Sequence, residues 1–258
     1  MKLVTVATHN SGMYDDLINN RFNAKITTLA FGKKWTGFQM KYEEMYNYIK
    51  NMNDDEIVVF IDGFDSKINK NPKLAVNLFR KMKCGILFSE DNAIRFKKKN
   101  KNMFGQCQGT TINSGLYMGY VKYLKIIFHD LIKLKCRDDQ RNINKTCHKY
   151  NFIQIDRKKI IFENIKNKEK KSNAIFISYP GELSIKRLLR APYEYSQFWV
   201  KEAFIMYLVL TFIFLCLKMY KTTTGIFFFF FVLYLYKDSS CKSTNDHIHD
   251  LQHLIQKI

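Results

Sequence analysis

In the stretch VVFIDGFDSKI, residues 58–68, an apolar run ends in two aspartates, Asp62 and Asp65, with Gly63 and Phe64 between them. Two carboxylates on one tight turn can converge on a hard cation such as Mn²⁺ or Mg²⁺, which prefers oxygen ligands. A cation held there would neutralise a diphosphate and stabilise it as a leaving group. The glycine permits the close backbone approach that a bulky phosphate requires. The same residues also suit an ordinary turn, because Asp-Gly commonly follows a strand. Spacing alone leaves both readings open.

The elements that must position these carboxylates alternate between strand and helix signals. Strands are predicted at residues 3–7, 24–29, 57–61, 84–88 and 152–155, the third of them buried on both faces. Helices are predicted at 12–19, 40–51, 72–82 and 121–134, with Pro72 suited to a helical first turn. This alternation implies an α/β fold with a mixed, mostly parallel sheet and helices on both of its faces. Ligands in such sheets bind beyond the carboxyl ends of the strands, where Asp62 and Asp65 fall. There is no G-x-G-x-x-G and no G-x-x-x-x-G-K-[ST], so dinucleotide and P-loop readings lack support.

Composition narrows the remaining classes. The chain has 258 residues and a formal net charge of +19. Of its 42 basic residues 8 are arginine, which leaves 42 − 8 = 34 lysines. Runs such as FKKKNKN at 96–102 and KNKEKK at 166–171 carry no interleaved aromatic platform. They read as solvated loops, and no specific nucleic-acid partner is expected. Cys84, Cys107, Cys136, Cys147, Cys216 and Cys241 include no C-x-x-C pair and no zinc spacing, and reduced thiols are expected. The N-terminal MKLVTVATHN has too short an apolar core for a signal peptide and suits a first strand.

Residues 203–236 are different. An uncharged block reaching Leu217 is followed by Lys218, a TTTG turn and the run FFFFF. A bilayer span needs about 20 apolar residues, so one tilted span or a short hairpin is expected here as a membrane anchor. A linker at 193–202 precedes it. The tail at 237–258 follows, with an apolar helical stripe and three histidines, His247, His249 and His253, that suit a surface or partner-binding helix.

Several segments occur together in a familiar order: VTVATHNSGMYDDLINN, TTLAFGKKWTGFQMK, VVFIDGFDSKI, GILFSED, TTINSGLYMGY, DDQ, IDRKKIIFENI and FISYPGELSIK. Over residues 2–186 the chain resembles the glycosyltransferase domain of procollagen lysyl hydroxylases and related collagen galactosyl- and glucosyltransferases. The resemblance implies a GT-A type domain at residues 1–192 that binds a UDP-sugar through Mn²⁺ and retains anomeric configuration. It implies that Asp62 and Asp65 bind the metal, that Phe64 lies against the uracil, and that Thr8 contacts the nucleotide. Trp35 matches a donor-site tryptophan and Lys41 a lysine near the diphosphate. Asn113, Ser114 and Gly115 match a turn that lines the sugar pocket. Asp138 and Asp139, with Gln140, match the acidic run that faces the acceptor and the transferred sugar, in the catalytic role.

Three departures stand out. The family completes its metal site with a histidine in an H-x-N-G stretch, whereas Ser178-Tyr179-Pro180-Gly181 occupies that place here. The acidic run is short, and no tryptophan follows LFSED. The reading from sequence is a membrane-anchored transferase, its catalytic domain facing the cytosol. It would move glucose or galactose from a UDP-sugar to a hydroxyl on hydroxylysine, or on its linked sugar, in a collagen-like protein. The alternative is a catalytically degenerate, membrane-tethered protein that binds nucleotide or glycan in the same cleft.

Overall fold

A strand with no polar face must be covered on both sides, and the segment IVVFI is. The computed structural model describes residues 1–91, 104–134, 138–165 and 171–180, all within the compact unit Met1–Glu182. In chain order the first elements are β1 (Lys2–Val6), α1 (Tyr14–Ile18), β2 (Ile26–Leu29), α2 (Met40–Ile49), β3 (Ile57–Ile61) and β4 (Ser66–Ile68). They are followed by α3 (Lys73–Lys81), β5 (Ile86–Glu90), β6 (Ile112–Tyr120), α4 (Val121–Lys133) and α5 (Asp139–Thr146). The last are β7 (Ile153–Asp156), β8 (Phe162–Asn164) and β9 (Phe176–Ser178).

Six strands form one sheet in the order β2-β1-β3-β6-β5-β7, and β4-β9-β8 form a second sheet. β1 runs parallel to β2 and β3, and β5 parallel to β7, whereas β6 is antiparallel to both β3 and β5. The large sheet is therefore mixed, with parallel pairings in the majority. Its two faces carry separate cores. Val58 and Phe60 of β3 pack with Tyr42 and Met45 of α2 and Leu124 and Phe128 of α4. The alternate residues Ile57, Val59 and Ile61 pack with Leu17 of α1, Phe79 of α3, and Phe162 and Phe176 of the small sheet. Period-two alternation thus feeds two buried faces, which is why no polar residue interrupts β3.

β6 is the longest of the strands that the apolar pattern does not announce. Its sequence INSGLYMGY holds two glycines, an asparagine and a serine, all poor strand formers. It forms because it is clamped between β3 and β5, and Gly119 is needed there. A Cβ at Gly119 would meet Ile86 Cγ1 at 2.8 Å and the carbonyl of Gly85 at 3.0 Å.

The expectation of reduced thiols is corrected at one pair. Cys107 and Cys147 form a disulfide, with Cα atoms 5.8 Å apart across a sequence separation of 40. Both are buried in the same core cluster, a proximity that no local spacing could reveal. Cys84 is a buried free thiol, and burial pushes it up to about 11. Cys136, Cys216 and Cys241 lie outside the described residues, as do the linker at 193–202, the anchor expected at 203–236 and the tail at 237–258. Among the described residues, no helix is long and apolar enough to cross a membrane.

Candidate functional site

The turn after β3 is held from both sides. The Asp62 amide donates to the Gly115 carbonyl at 2.9 Å, and its Oδ1 accepts from the Phe64 amide at 3.3 Å. Asp65 is gripped by the small sheet: its Oδ1 accepts from Ser66 Oγ at 3.2 Å and from Ser178 Oγ at 3.0 Å. The Phe64 carbonyl accepts from the Met13 amide at 2.9 Å. Gly12 makes that approach possible, since its φ is +60° and a Cβ there would meet the Phe64 oxygen at 2.2 Å.

A bulge brings the Asn113–Ser114–Gly115 turn over Asp62. Phe88 pairs with Tyr117 but Ser89 already pairs with Asn113, so Ser114, Gly115 and Leu116 are extra residues on β6. Bulges re-aim side chains at the ends of strands. Asn113 Oδ1 accepts from the Gly115 amide at 2.8 Å. A Cβ on Gly115 would press on Asn113 Oδ1 at 3.0 Å and stand in ordinary contact with Asp62, 3.5 Å from its Cβ. Ser114 is buried within the bulge.

Lys41 joins the two acidic segments. Its Nζ lies 2.5 Å from Asp62 Oδ2 and 3.6 Å from Asp139 Oδ2. Burial alone would discharge this lysine, but Asp62 and Asp139, with Asp65 beyond, hold its ammonium well above the ordinary lysine range. The neighbouring Tyr42 hydroxyl donates to the Asp139 carbonyl at 2.8 Å, so consecutive residues of α2 touch the aspartate's side chain and its backbone. Gln39, just before α2, donates to the Ile132 carbonyl at 2.8 Å and accepts from Asn142 Nδ2 at 3.1 Å, tying α2 to α4 and α5.

Asp138 and Asp139 have separate environments. Asp138 is the N-cap of α5 and accepts from the Arg141 amide at 2.6 Å. Burial and the adjacent Asp139 push it up to about 7. Asp139 faces Lys41. Of the two expected catalytic aspartates, one is thus bonded as a helix cap and the other is turned to the cleft.

The aromatic residues line up along the same end of the sheet. Trp35 is 38% exposed, which excludes a plain core role, and packs edge-on to Phe38 at 5.6 Å. Lys41 Nζ lies 5.5 Å over the Phe38 ring. Phe64 packs on His9 at 5.3 Å, and Thr8 Oγ1 shares a 2.9 Å hydrogen bond with His9 Nδ1. His9 and Phe38 fall within the quoted segments but carry no assigned role there; their place beside Thr8, Phe64 and Lys41 marks them. Trp35 is brought to Phe38, whose ring lies under Lys41, while Thr8 and Phe64 form a separate group with His9.

The model of the PLOD GT domain family matches residues 1–185. The chain belongs to the PLOD GT-domain family. No curated protein matches the sequence. Among solved structures, the chain is similar to the galactosyltransferase LgtC in complex with donor and acceptor sugar analogs. The TM-score is 0.42 and the identity 9%, over 70% of this chain and 88% of that one. It is also similar to A197 from STIV, with a TM-score of 0.40 and 8% identity over 60% of this chain and 81% of that one.

In this PLOD GT domain, no three His, Cys, Asp or Glu side chains gather as a ready-made metal cluster among the described residues. The residues present nevertheless suit a cation. Burial first, and then the charge of Asp62, push Asp65 up to about 6. Two carboxylates therefore repel each other across one small space, and oxygen donors are what Mn²⁺ or Mg²⁺ takes. Asp62 and Asp139 share the Lys41 ammonium at 2.5 and 3.6 Å, and Asp65 lies beyond that contact with its carboxylate held by Ser66 and Ser178, so the negative charge at this turn is one that a divalent ion would offset.

Proposed function

We propose that this chain is a membrane-anchored hexosyltransferase of the GT-A type. It moves glucose or galactose from a UDP-sugar to a hydroxyl, on hydroxylysine or its linked sugar in a collagen-like protein. The observation that carries this reading is the Asp62–Lys41–Asp139 bridge at the carboxyl end of β3, with Gly115 kept bare beside it. Asp62 and Asp65 would hold Mn²⁺ or Mg²⁺, which when bound neutralises the diphosphate of the donor. Lys41 supplies a fixed positive charge to the same oxygens. Trp35 and Phe64 offer faces for the uracil. In the transfer, the bond from the anomeric carbon to the diphosphate breaks and one to the acceptor oxygen forms. The acceptor's proton goes to the departing diphosphate. Asp139 would stabilise positive charge developing on the sugar.

Calorimetry with UDP, with and without Mn²⁺, tests this assignment. Asp65→Ala is expected to abolish Mn²⁺-dependent UDP binding while the fold survives. Trp35→Ala should weaken UDP by about 1–3 kcal/mol without changing the metal requirement. Unchanged UDP affinity in both variants would discard the cleft. UDP release from UDP-glucose and UDP-galactose separates an enzyme from a nucleotide-binding relative.

The membrane reading rests on residues 203–236. Of the two sides, the Cys107–Cys147 bond favours an oxidising compartment, against the cytosolic face expected from the N-terminal sequence. Protease protection of an N-terminal tag decides it: shielding until detergent is added supports the oxidising side.

A further inference from the structure

An open groove of about 450 Å³ runs between α1 and β4, lined by Met13, Asp15, Asp16, Arg21, Lys67 and Asn69 among others. One part of its lining is tied to the turn that carries Asp62 and Asp65. Met13 lines the groove, and its amide donates to the Phe64 carbonyl at 2.9 Å. Lys67 stands on β4, directly after that turn. A ligand lying in the groove therefore passes beside the turn without entering the cleft.

The groove carries charges of both signs. Asp15 and Asp16 are exposed on α1. Lys67 comes from β4, and Arg21 is drawn to the same side, where its guanidinium donates to the Asn69 carbonyl. Long basic arms that share an open space with aspartates can pair with them and fill it. Here, among the described residues, no ion pair joins any two of the four. Three of them are held on their own side. Both Asp15 oxygens accept from Asn10 Nδ2, at 2.9 and 2.8 Å. Lys67 Nζ lies 5.3 Å over the Tyr179 ring, and the Arg21 guanidinium 4.8 Å over the Phe22 ring. The amides beneath are engaged within the chain: Asn20 Nδ2 donates to the Leu17 and Ala24 carbonyls, and Asn69 Nδ2 to those of Ser172 and Ala174. What the groove offers a ligand is thus separated charge.

That arrangement selects among ligands. A nucleic acid or a free phosphate would meet Asp15 and Asp16, and a simple cation would meet Lys67 and Arg21. A polypeptide segment with a lysine or arginine near an aspartate or glutamate complements both walls, and an open channel lets its ends run on. We propose that this groove is an exosite for the protein acceptor, binding a segment with acidic and basic side chains that flanks the residue to be glycosylated. This rests on the protein-acceptor reading above. It adds the surface that recognises the polypeptide apart from its hydroxyl.

The test uses three acceptors: a hydroxylysine peptide with lysine and glutamate in its flanks, the same peptide with serine flanks, and free hydroxylysine. Binding of the labelled peptides is read by fluorescence anisotropy, and transfer by UDP release. The wild-type chain should bind the charged peptide about ten-fold more tightly than the serine peptide at low salt, a preference that fades as ionic strength rises. Asp16→Lys and Lys67→Glu should each bring that ratio below about two and raise the KM for the charged peptide about five-fold. The kcat, the KM for free hydroxylysine and the affinity for UDP with Mn²⁺ should not change. Equal affinity of the wild type for the two peptides, or a ratio that survives both substitutions, overturns the exosite. Loss of UDP binding in both variants would assign these residues a structural role and overturn it as well. If the charged peptide is preferred through Asp16 and Lys67 but no acceptor is glycosylated, the polypeptide site stands and the transferase reading falls.

Discussion

Two pairs of carboxylates are joined through Lys41 in this domain, by Asp62 of one and Asp139 of the other, and they are held in different ways. Asp62 and Asp65 lie on a turn, partly buried, with their oxygens engaged by Lys41, Ser66 and Ser178. Asp138 and Asp139 begin a helix and are each about 5% exposed. One of that pair caps α5, and the other keeps a carboxylate oxygen without a hydrogen bond. The first pair keeps oxygens close to the open end of the sheet, as a cation site needs. The second has its backbone fixed by a cap, by Tyr42 and by a disulfide at the far end of its helix, which suits a charge that must stay still while a sugar reacts. Among the described residues, Lys41 is the cation that bridges the two pairs, through Asp62 and Asp139. Where like charges are brought together in a poorly solvated space, a shared counter-ion decides whether the arrangement can fold at all.

Removing that counter-ion should have the largest effect. Lys41→Met leaves Asp62 and Asp139 facing each other uncompensated, and should cost about 3–5 kcal/mol of stability in urea denaturation. The surviving protein should bind Mn²⁺ more tightly without nucleotide, because the ammonium no longer competes, yet bind UDP more weakly. An unaltered denaturation midpoint would show that the two pairs are not coupled through Lys41.

The disulfide separates the pairs next. Cys147→Ala opens the link between the end of α5 and residue 107, and should cost about 3 kcal/mol. Because this helix carries Asp139 and not the D-x-x-D turn, turnover should fall while Mn²⁺-dependent UDP binding persists. Equal losses in both measurements would mean that the two sides of the cleft move as one.

A smaller, pH-dependent effect belongs to Asp138 alone. Its folded value, pushed up to about 7, lies above the value of about 3.9 for an aspartate in an unfolded chain. The folded state therefore holds a proton that the unfolded state gives up, and this contribution is complete below about pH 4 and lost as pH rises through about 7. Asp138→Asn keeps an acceptor oxygen for the Arg141 amide and does not titrate. Relative to wild type it should gain on the order of 2 kcal/mol between pH 4 and 8. Denaturation curves at the two pH values check this, and parallel pH dependence in both proteins refutes it.

The smallest change sharpens the metal side. Ser178 touches Asp65, as expected if it replaces the family's histidine. Ser178→His should add a ligand and tighten Mn²⁺ in the absence of UDP by about 1 kcal/mol, since one imidazole suits Mn²⁺ less than a carboxylate does. Electron paramagnetic resonance titration measures it. A folded variant with no gain would mean that the residue-178 side chain does not reach the ion.

Much of this was legible in the sequence alone. The run Ile57–Ile61 ending in Asp62 reads as a strand feeding a site because two-sided burial leaves an uninterrupted apolar segment. The helix at Lys73–Lys81 follows from Pro72 and its apolar spacing. The order of motifs assigned the family. What could not be read is whatever depends on contacts between distant segments. β4, β8 and β9 have three residues each, too few to show a period. β6 is a strand only because its neighbours hold it. α5, with the sequence DQRNINKT, has no apolar stripe; its buried face is polar, satisfied by bonds such as that of Asn144 to both the amide and the carbonyl of Ile112. The sequence shows two adjacent aspartates at 138 and 139 and cannot say which caps and which faces the cleft. Lys41 is one lysine among 34 by composition. Only the packing of α2 over the sheet makes it the ion between Asp62 and Asp139, because a charge acquires its role from the charges that the fold brings within a few ångströms of it.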